Sequence, residues 1–168
     1  VNKLLAEYQL MGLKAQMNPH FIFNCLNSIQ KYVLEHDTKQ AYTYMAKFSK
    51  LIRFVLDISD KTFVALSDEL ELVKIYVELE QLRFDKKFEF AIELNENIEP
   101  DEVVVPSLLI QPYLENAIWH GIMNLPSNKN GIVKIIVKAV NDYIEIIIID
   151  NGIGRNKAKI LSQKSHQS

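Results

Sequence analysis

The sequence predicts an α+β protein, a helical hairpin followed by a half of mixed helix and sheet. Three observations carry that reading. Between about residues 3 and 59 glycine occurs only as Gly12 and proline only as Pro19, while apolar residues recur at three-to-four spacing. In "FEFAIEL" the period drops from 3.6 to 2, with Phe88, Phe90, Ile92 and Leu94 on one side and Glu89, Ala91 and Glu93 on the other. Finally, "GIVKIIVKAV" and "YIEIIIID" flank Asn141-Asp142, a pair that tolerates the left-handed backbone of a tight hairpin turn.

The elements follow in order. In the first helix Leu10, Leu13, Met17 and Phe21 form one apolar stripe, continued by Ile22, Leu26, Ile29 and Val33. It breaks at "EHDTKQ", where Asp37 can cap a new helix and Gln40 can reach back to it in a capping box. The second helix presents Ala41, Tyr44, Met45, Phe48, Leu51, Ile52, Val55 and Ile58. Two long helices joined by a short turn pack antiparallel. A lone hairpin leaves one apolar side uncovered, so two copies forming a four-helix bundle is the economical solution, and a homodimer is expected.

A third helix is expected from about Ser67 to Phe84, with Ser67 as cap and Asp68, Glu69 and Glu71 at the positive end of its dipole. "FEFAIEL" is a half-buried strand and "EVVV" a shorter one. Pro106 suits the first turn of a helix running to about His120. The closing hairpin ends in an interior strand at Asp150. No internal repeat or low-complexity segment interrupts the chain.

Composition excludes several classes. With 168 residues, 48% apolar and 24% charged, the chain is ordinary globular material. A net charge of −2 without a basic run argues against nucleic acid as a partner. The single cysteine, Cys25, has no internal disulfide partner, which fits a reducing cytoplasm. No apolar run approaches the roughly 20 residues of a membrane helix. Because the chain begins at Val1, it is read as a soluble, cytoplasmic piece of something longer, with a membrane anchor expected upstream.

Three clusters invite chemistry. In "QMNPHFIFNCLNSI" His20 follows Pro19 within a helical pattern. A helical histidine among apolar neighbours is ordinarily packing. A proline inside a helix, however, costs about 3 kcal/mol, and a kink beside an imidazole suggests a ring held outward at a defined angle. Asn24, one turn later on the same face, is placed to orient a water or phosphoryl oxygen above it. In "QPYLENAIWHG" Asn116 and His120 are four apart and share a face, and an asparagine oxygen is a hard donor suited to Mg²⁺. In "IIIIDNGIG" a strand runs into Asp150, placed to accept a hydrogen bond from an exocyclic amine such as that of adenine. Gly152 and Gly154 after it permit positive φ and close approach to a ligand.

In this order the three clusters resemble the histidine kinases of two-component signalling, specifically their LytS-like branch. "LKAQMNPHFIFNCLNSIQKYV" is similar to that branch's dimerisation helix, "LLIQPYLENAIWHG" to the N box and "DNGIG" to the first glycine box of a Bergerat-type ATP-binding fold. The likeness spans residues 10 to about 155. It implies a dimerisation and phosphotransfer hairpin over residues 1–60 and an ATP-binding domain over 61–168. It implies a sensor kinase in which His20 takes a phosphoryl group from ATP and passes it to an aspartate of a response regulator. By the same resemblance Asn116 would hold Mg²⁺, Asp150 would read adenine, and His120, Gly152 and Gly154 would line the nucleotide. The resemblance also implies an incomplete α/β-sandwich, since the second glycine box and the ATP lid do not follow before Ser168, and weak or absent nucleotide binding by these residues alone is expected.

The pattern departs from most histidine kinases at three places. Phe21 stands where an acidic base commonly follows the phosphoacceptor, Pro112 beside Gln111 replaces the asparagine that opens the N box, and Trp119 occupies a position where a cation is common. Pro112 and Trp119 favour an alternative, a catalytically inert dimerising scaffold. A second alternative is an ATP-hydrolysing machine of the same superfamily, in which Glu115, beside the Mg²⁺ ligand, would be the base that activates water.

Overall fold

A computed structural model describes residues 19–84 and 88–154, with the side chains of Pro19, His20 and Ser59 left out of the description. Among these residues the chain is α+β, as expected, and forms two compact units. The first comprises residues 19–84 with 101–109, the second 88–100 with 110–154.

In the first unit, helices α1 (Pro19–Leu34) and α2 (Thr38–Ser59) make the expected hairpin. The turn is specified locally. His36 adopts a left-handed φ of 58°, with its N–H donating to Val33 O at 3.1 Å and the Asp37 N–H to Tyr32 O at 2.9 Å. These are the paired bonds with which a Schellman motif ends a helix, here with histidine in the position usually given to glycine. Asp37 then caps α2 by accepting the Gln40 N–H at 3.0 Å. Only this half of the capping box forms, because the Asp37 N–H is already committed to α1.

α1 buries a different stripe from the one its periodicity suggested. Phe21, Cys25 and Ser28 are inside, whereas Leu26 and Val33 are 49% and 56% exposed. The reason is α3 (Leu66–Arg83), which packs on both helices of the hairpin and selects which side of α1 is covered. Phe21 meets Tyr76 of α3 at 4.8 Å between ring centroids. α3 is buried nearly all round, with Leu66, Leu70, Leu72, Val73, Ile75, Tyr76, Val77 and Leu79 inside, the pattern of an interior helix rather than an amphipathic one. Each such side chain contributes about 1.5–3 kcal/mol of burial. Lys47 pairs with Glu78, and Lys50 with Glu71 at 2.8 Å, along the rim between α2 and α3.

α3 starts one residue earlier than expected, at Leu66, with Ala65 in the cap position and no side-chain cap. Ser67 is therefore inside the helix. Glu69 is fully buried and accepts the N–H of Leu108 at 3.0 Å, a bond that replaces the solvent-facing dipole role. β1 (Phe63–Ala65), which the sequence reading passed over, pairs antiparallel with β3 (Val104–Pro106). The ribbon joins residues about 40 apart, a distance at which local pattern is silent.

Pro106 is thus the last residue of a strand and not the first turn of a helix. Leu108 follows in the left-handed region at φ 57° and turns the chain, and the helix begins only at Gln111, where Pro112 takes the first-turn role.

In the second unit β2 (Phe88–Leu94) pairs parallel with β4 (Gly131–Val140), and β4 pairs antiparallel with β5 (Tyr143–Asp150). Asn141 takes φ 53° in the two-residue turn between β4 and β5, as expected. Alternation along β4 buries Gly131, Val133, Ile135 and Val137. Ile110, Leu114, Ala117, Ile118 and Ile122 supply further apolar core of this unit. β5 differs from the expectation. Among the described residues it is an edge strand, with Ile144, Ile146, Ile147 and Ile148 only half-buried and Ile149 exposed. No described helix is long and apolar enough to cross a membrane.

Candidate active site

The candidates of the second unit converge at one end of its sheet. β5 delivers Asp150 as its last residue, in register with the fully buried Val133. Cross-strand partners share a face, so Asp150 leaves the sheet on the side that carries the core. Its Oδ1 accepts the Gly152 N–H at 2.9 Å, while the residue as a whole remains exposed.

Gly152 abuts the end of the other motif. A Cβ at Gly152 would lie 2.3 Å from Gly121 Cα and 2.4 Å from Gly121 C, and one at Gly121 would lie 2.8 Å from Asp150 Oδ1. Only two glycines admit this backbone-to-backbone contact. The Ile153 N–H donates to Gly121 O at 3.3 Å and closes it. Gly154 serves differently. Nothing lies within 4 Å of a Cβ placed there, but its φ of 81° is one that L side chains rarely adopt. The two glycines expected to give close approach and positive φ divide those tasks between them.

The helix that brings Gly121 to this point changes its winding. α4 (Gln111–Glu115) is α-helical, and Asn116–Gly121 continues it as a π-helical turn, with Ile122 N–H reaching back to Ala117 O. Such wide turns recur at functional sites. Ala117, Ile118 and Gly121 are buried, whereas Asn116 and His120 are both exposed, the placement that their spacing required. Trp119 is half-buried. Asn124 finishes the turn by donating its Nδ2 to the carbonyls of Trp119 at 3.1 Å and His120 at 3.3 Å.

Two residues emerge that the sequence reading did not assign. Gly121 is one. Asn151 is the other. Its Oδ1 accepts the Ile132 N–H at 2.7 Å and its Nδ2 donates to Asn130 O at 3.0 Å, while its own N–H donates to Ile132 O at 3.2 Å. The three bonds fasten the Asp150–Gly152 turn to the start of β4. The available signal was an asparagine directly after a strand, able to imitate backbone pairing.

Glu115 is half-buried and accepts Nε2–H of Gln111 at 3.0 Å. Burial raises its carboxyl above the ordinary carboxylate range, and the Gln111 bond opposes that rise. A carboxyl so displaced holds a proton more readily than an ordinary one.

His20 and Asn24 belong to the first unit, on α1. The His20 ring, on whose exposure the phosphoacceptor reading turns, and the Pro19 kink with the residues before it lie outside the described residues. Asn24 is half-buried, and its carbonyl accepts the Ser28 hydroxyl at 2.9 Å. Phe21 is packing, with 1% of its surface exposed, and offers no base. Cys25 is buried, accepts the Tyr44 hydroxyl at 3.5 Å, and has its thiol pushed up to about 11, chiefly by burial. That rules it out as a nucleophile near pH 7.

No group of three or more His, Cys, Asp or Glu among the described residues is arranged to hold a metal. Mg²⁺ often binds through one or two protein oxygens with substrate phosphates and water completing its shell. The exposed carboxamide of Asn116 fits that limited part.

The chain is similar to known proteins over most of its length. The histidine kinase family model matches residues 8–88. The sensor protein LytS of Enterococcus faecalis is 34% identical over 153 residues, 91% of this chain and 25% of that protein. The sensor histidine kinase YpdA of Escherichia coli is 34% identical over 147 residues, 87% of this chain and 25% of its own length. The sensor histidine kinase/phosphatase LytS of Staphylococcus aureus is 32% identical over 169 residues, 99% of this chain and 28% of that protein. The chain thus spans about a quarter of the curated relatives it matches. With the motif order, the α+β fold and these relatives in agreement, the chain belongs to the histidine kinase family and is similar to its LytS-type sensor kinases.

Proposed function

We propose that these residues form the catalytic core of a sensor histidine kinase that phosphorylates its own His20 from ATP and passes the group to an aspartate of a response regulator. The contact of Gly121 with Gly152 carries the reading, because it sets the Asn116–His120 turn and Asp150 at one end of one sheet. In this reading Asp150 reads the exocyclic amine of adenine, and Asn116 and His120 face the phosphates. The exposed backbone at Gly154 gives the nucleotide room.

In the transfer a lone pair on the unprotonated His20 nitrogen forms the N–P bond to the γ-phosphorus, and the P–O bond to ADP breaks. The proton that the ring gives up passes to a base, for which Glu115 is the candidate. Mg²⁺, held through Asn116, would neutralise charge on the phosphoryl oxygens. Asn24 orients a water or phosphoryl oxygen near the phosphohistidine. The staphylococcal relative is named a kinase/phosphatase, which supports giving that asparagine a part in hydrolysis as well.

Residues 1–60 are assigned to dimerisation and phosphotransfer and residues 61–168 to nucleotide binding. A homodimer is supported by the exposed apolar side chains Tyr42 and Met45 of α2 and Phe23 and Leu26 of α1. The core is placed at the cytoplasmic face of a membrane-anchored chain.

The test is incubation of the full natural chain with γ-labelled ATP. Acid-labile label on the parent, lost in His20→Gln and reduced at least about tenfold in Asp150→Asn, is the expected result. An unlabelled parent that still dimerises would instead support the scaffold alternative. Phosphate release that survives His20→Gln would support the ATP-hydrolysing one.

A further inference from the structure

The strand that delivers Asp150 ends through a side chain. The ladder between β4 and β5 runs as far as Val133 with Asp150, and the next facing pair is Ile132 with Asn151. In a hydrogen-bonded pair of an antiparallel ladder each backbone donates to the other. The Asn151 N–H does so, to Ile132 O at 3.2 Å, but the return bond from the Ile132 N–H goes to Oδ1 of the Asn151 side chain at 2.7 Å. The carboxamide stands in for the backbone carbonyl, an imitation open to asparagine. Its Nδ2 donates to Asn130 O at 3.0 Å, so one side chain meets two backbone groups beyond the end of the ladder. The chain can then leave the sheet directly after Asp150. Gly152 lies against Gly121 and returns its N–H to Asp150 Oδ1 at 2.9 Å.

We infer that Asn151 is a positioning residue whose side chain ends the strand one residue early and thereby aims the Asp150 carboxylate at a purine base. The inference rests on the reading of Asp150 as the adenine contact. It assigns part of the selectivity for adenine over guanine to a residue whose own side-chain oxygen and nitrogen are engaged by Ile132 and Asn130. Adenine presents an exocyclic amine where guanine presents a carbonyl oxygen. A carboxylate accepts from the first and repels the second, but only while it is held within hydrogen-bonding reach. Other short polar side chains do not supply both bonds. Aspartate can accept from Ile132 but has no donor for Asn130 O, and serine has a single oxygen with which to meet both groups.

The experiment measures binding of non-hydrolysable ATP and GTP analogues to the full natural chain by calorimetry. The parent is compared with Asn151→Ala, Asn151→Asp, Asp150→Asn and the double variant Asp150→Asn with Asn151→Ala. In Asn151→Ala, affinity for the ATP analogue should fall about tenfold or more while that for the GTP analogue changes less than about threefold. Asn151→Asp keeps the Ile132 bond, so the preference for adenine should fall by a smaller factor, and this variant carries the test should the alanine one not fold. In the Asp150→Asn background the loss of Asn151 should cost less than about threefold. A residue that merely stabilises the fold would weaken both analogues alike, and by the same factor in both backgrounds; that result would overturn the proposal. A preference lost in Asp150→Asn but kept in both Asn151 variants would overturn it alone. A parent with no preference for adenine would refute Asp150 as the base contact, and the proposal with it.

Discussion

Replacing Gly152 by alanine perturbs the contact on which the proposed active site depends. The new Cβ would sit 2.3 Å and 2.4 Å from backbone atoms of Gly121 and 2.7 Å from Asp150 Oδ1. Backbone cannot rotate away as a flexible side chain would. To restore ordinary contact the Asp150–Gly152 turn and the π-helical turn must separate by about 1 Å, in an interior packed as densely as an organic crystal. Overpacking of this kind costs about 1–3 kcal/mol. If nucleotide binds only the undisturbed arrangement, that cost converts to an affinity lower by about 5- to 150-fold. Gly154→Ala is the internal control. It meets no atom within 4 Å and is penalised only for its φ of 81°, by about 1–2 kcal/mol at an exposed position. Titration with a fluorescent ATP analogue, with urea unfolding of the same samples, measures both quantities. The expected order is parent, then Gly154→Ala, then Gly152→Ala, with the Ile153 amide of the last losing protection from hydrogen exchange. Parent-like affinity in Gly152→Ala would refute the idea that this contact assembles the site.

Other consequences can be checked in parallel. Tyr42→Glu with Met45→Glu places two charges on the exposed face of α2 and should convert the proposed homodimer to monomer by light scattering, with helicity retained; an unchanged mass would remove that face from the interface. Cys25, fully buried with a thiol held protonated, should be alkylated at pH 8 at least about a hundredfold more slowly in the native chain than in urea. Glu115→Gln should be more stable than the parent at pH 7, because a carboxyl whose folded pKa is raised destabilises the native state while ionised. The difference should shrink as pH falls through that raised value and vanish below the ordinary carboxylate range, near about pH 4. A variant less stable than the parent at pH 7 would show that the Gln111 bond outweighs burial.

What the sequence made legible was local. The Asp37 cap, the Asn141 turn and the alternation of Phe88–Leu94 each depend on a few adjacent residues, and each is found where the pattern put it. Errors arose where partners are distant. The buried stripe of α1 is selected by α3, and Pro106 belongs to a strand because Phe63 pairs with it. The motifs around Asn116 and Asp150 could be read singly. Their meeting could not, since it consists of two glycine backbones touching and an asparagine amide spanning strands, neither of which leaves a periodic trace.

The fastening of Asn151 bears on how such an enzyme would be inhibited. With its amide and its own N–H engaged by Asn130 and Ile132, the turn that carries Asp150, the adenine contact of the proposed function, is fastened to the sheet. A turn so fastened favours small flat heterocycles that need no induced rearrangement, so fragments presenting an amine beside a ring nitrogen to Asp150 should retain binding even when stripped of ribose and phosphate.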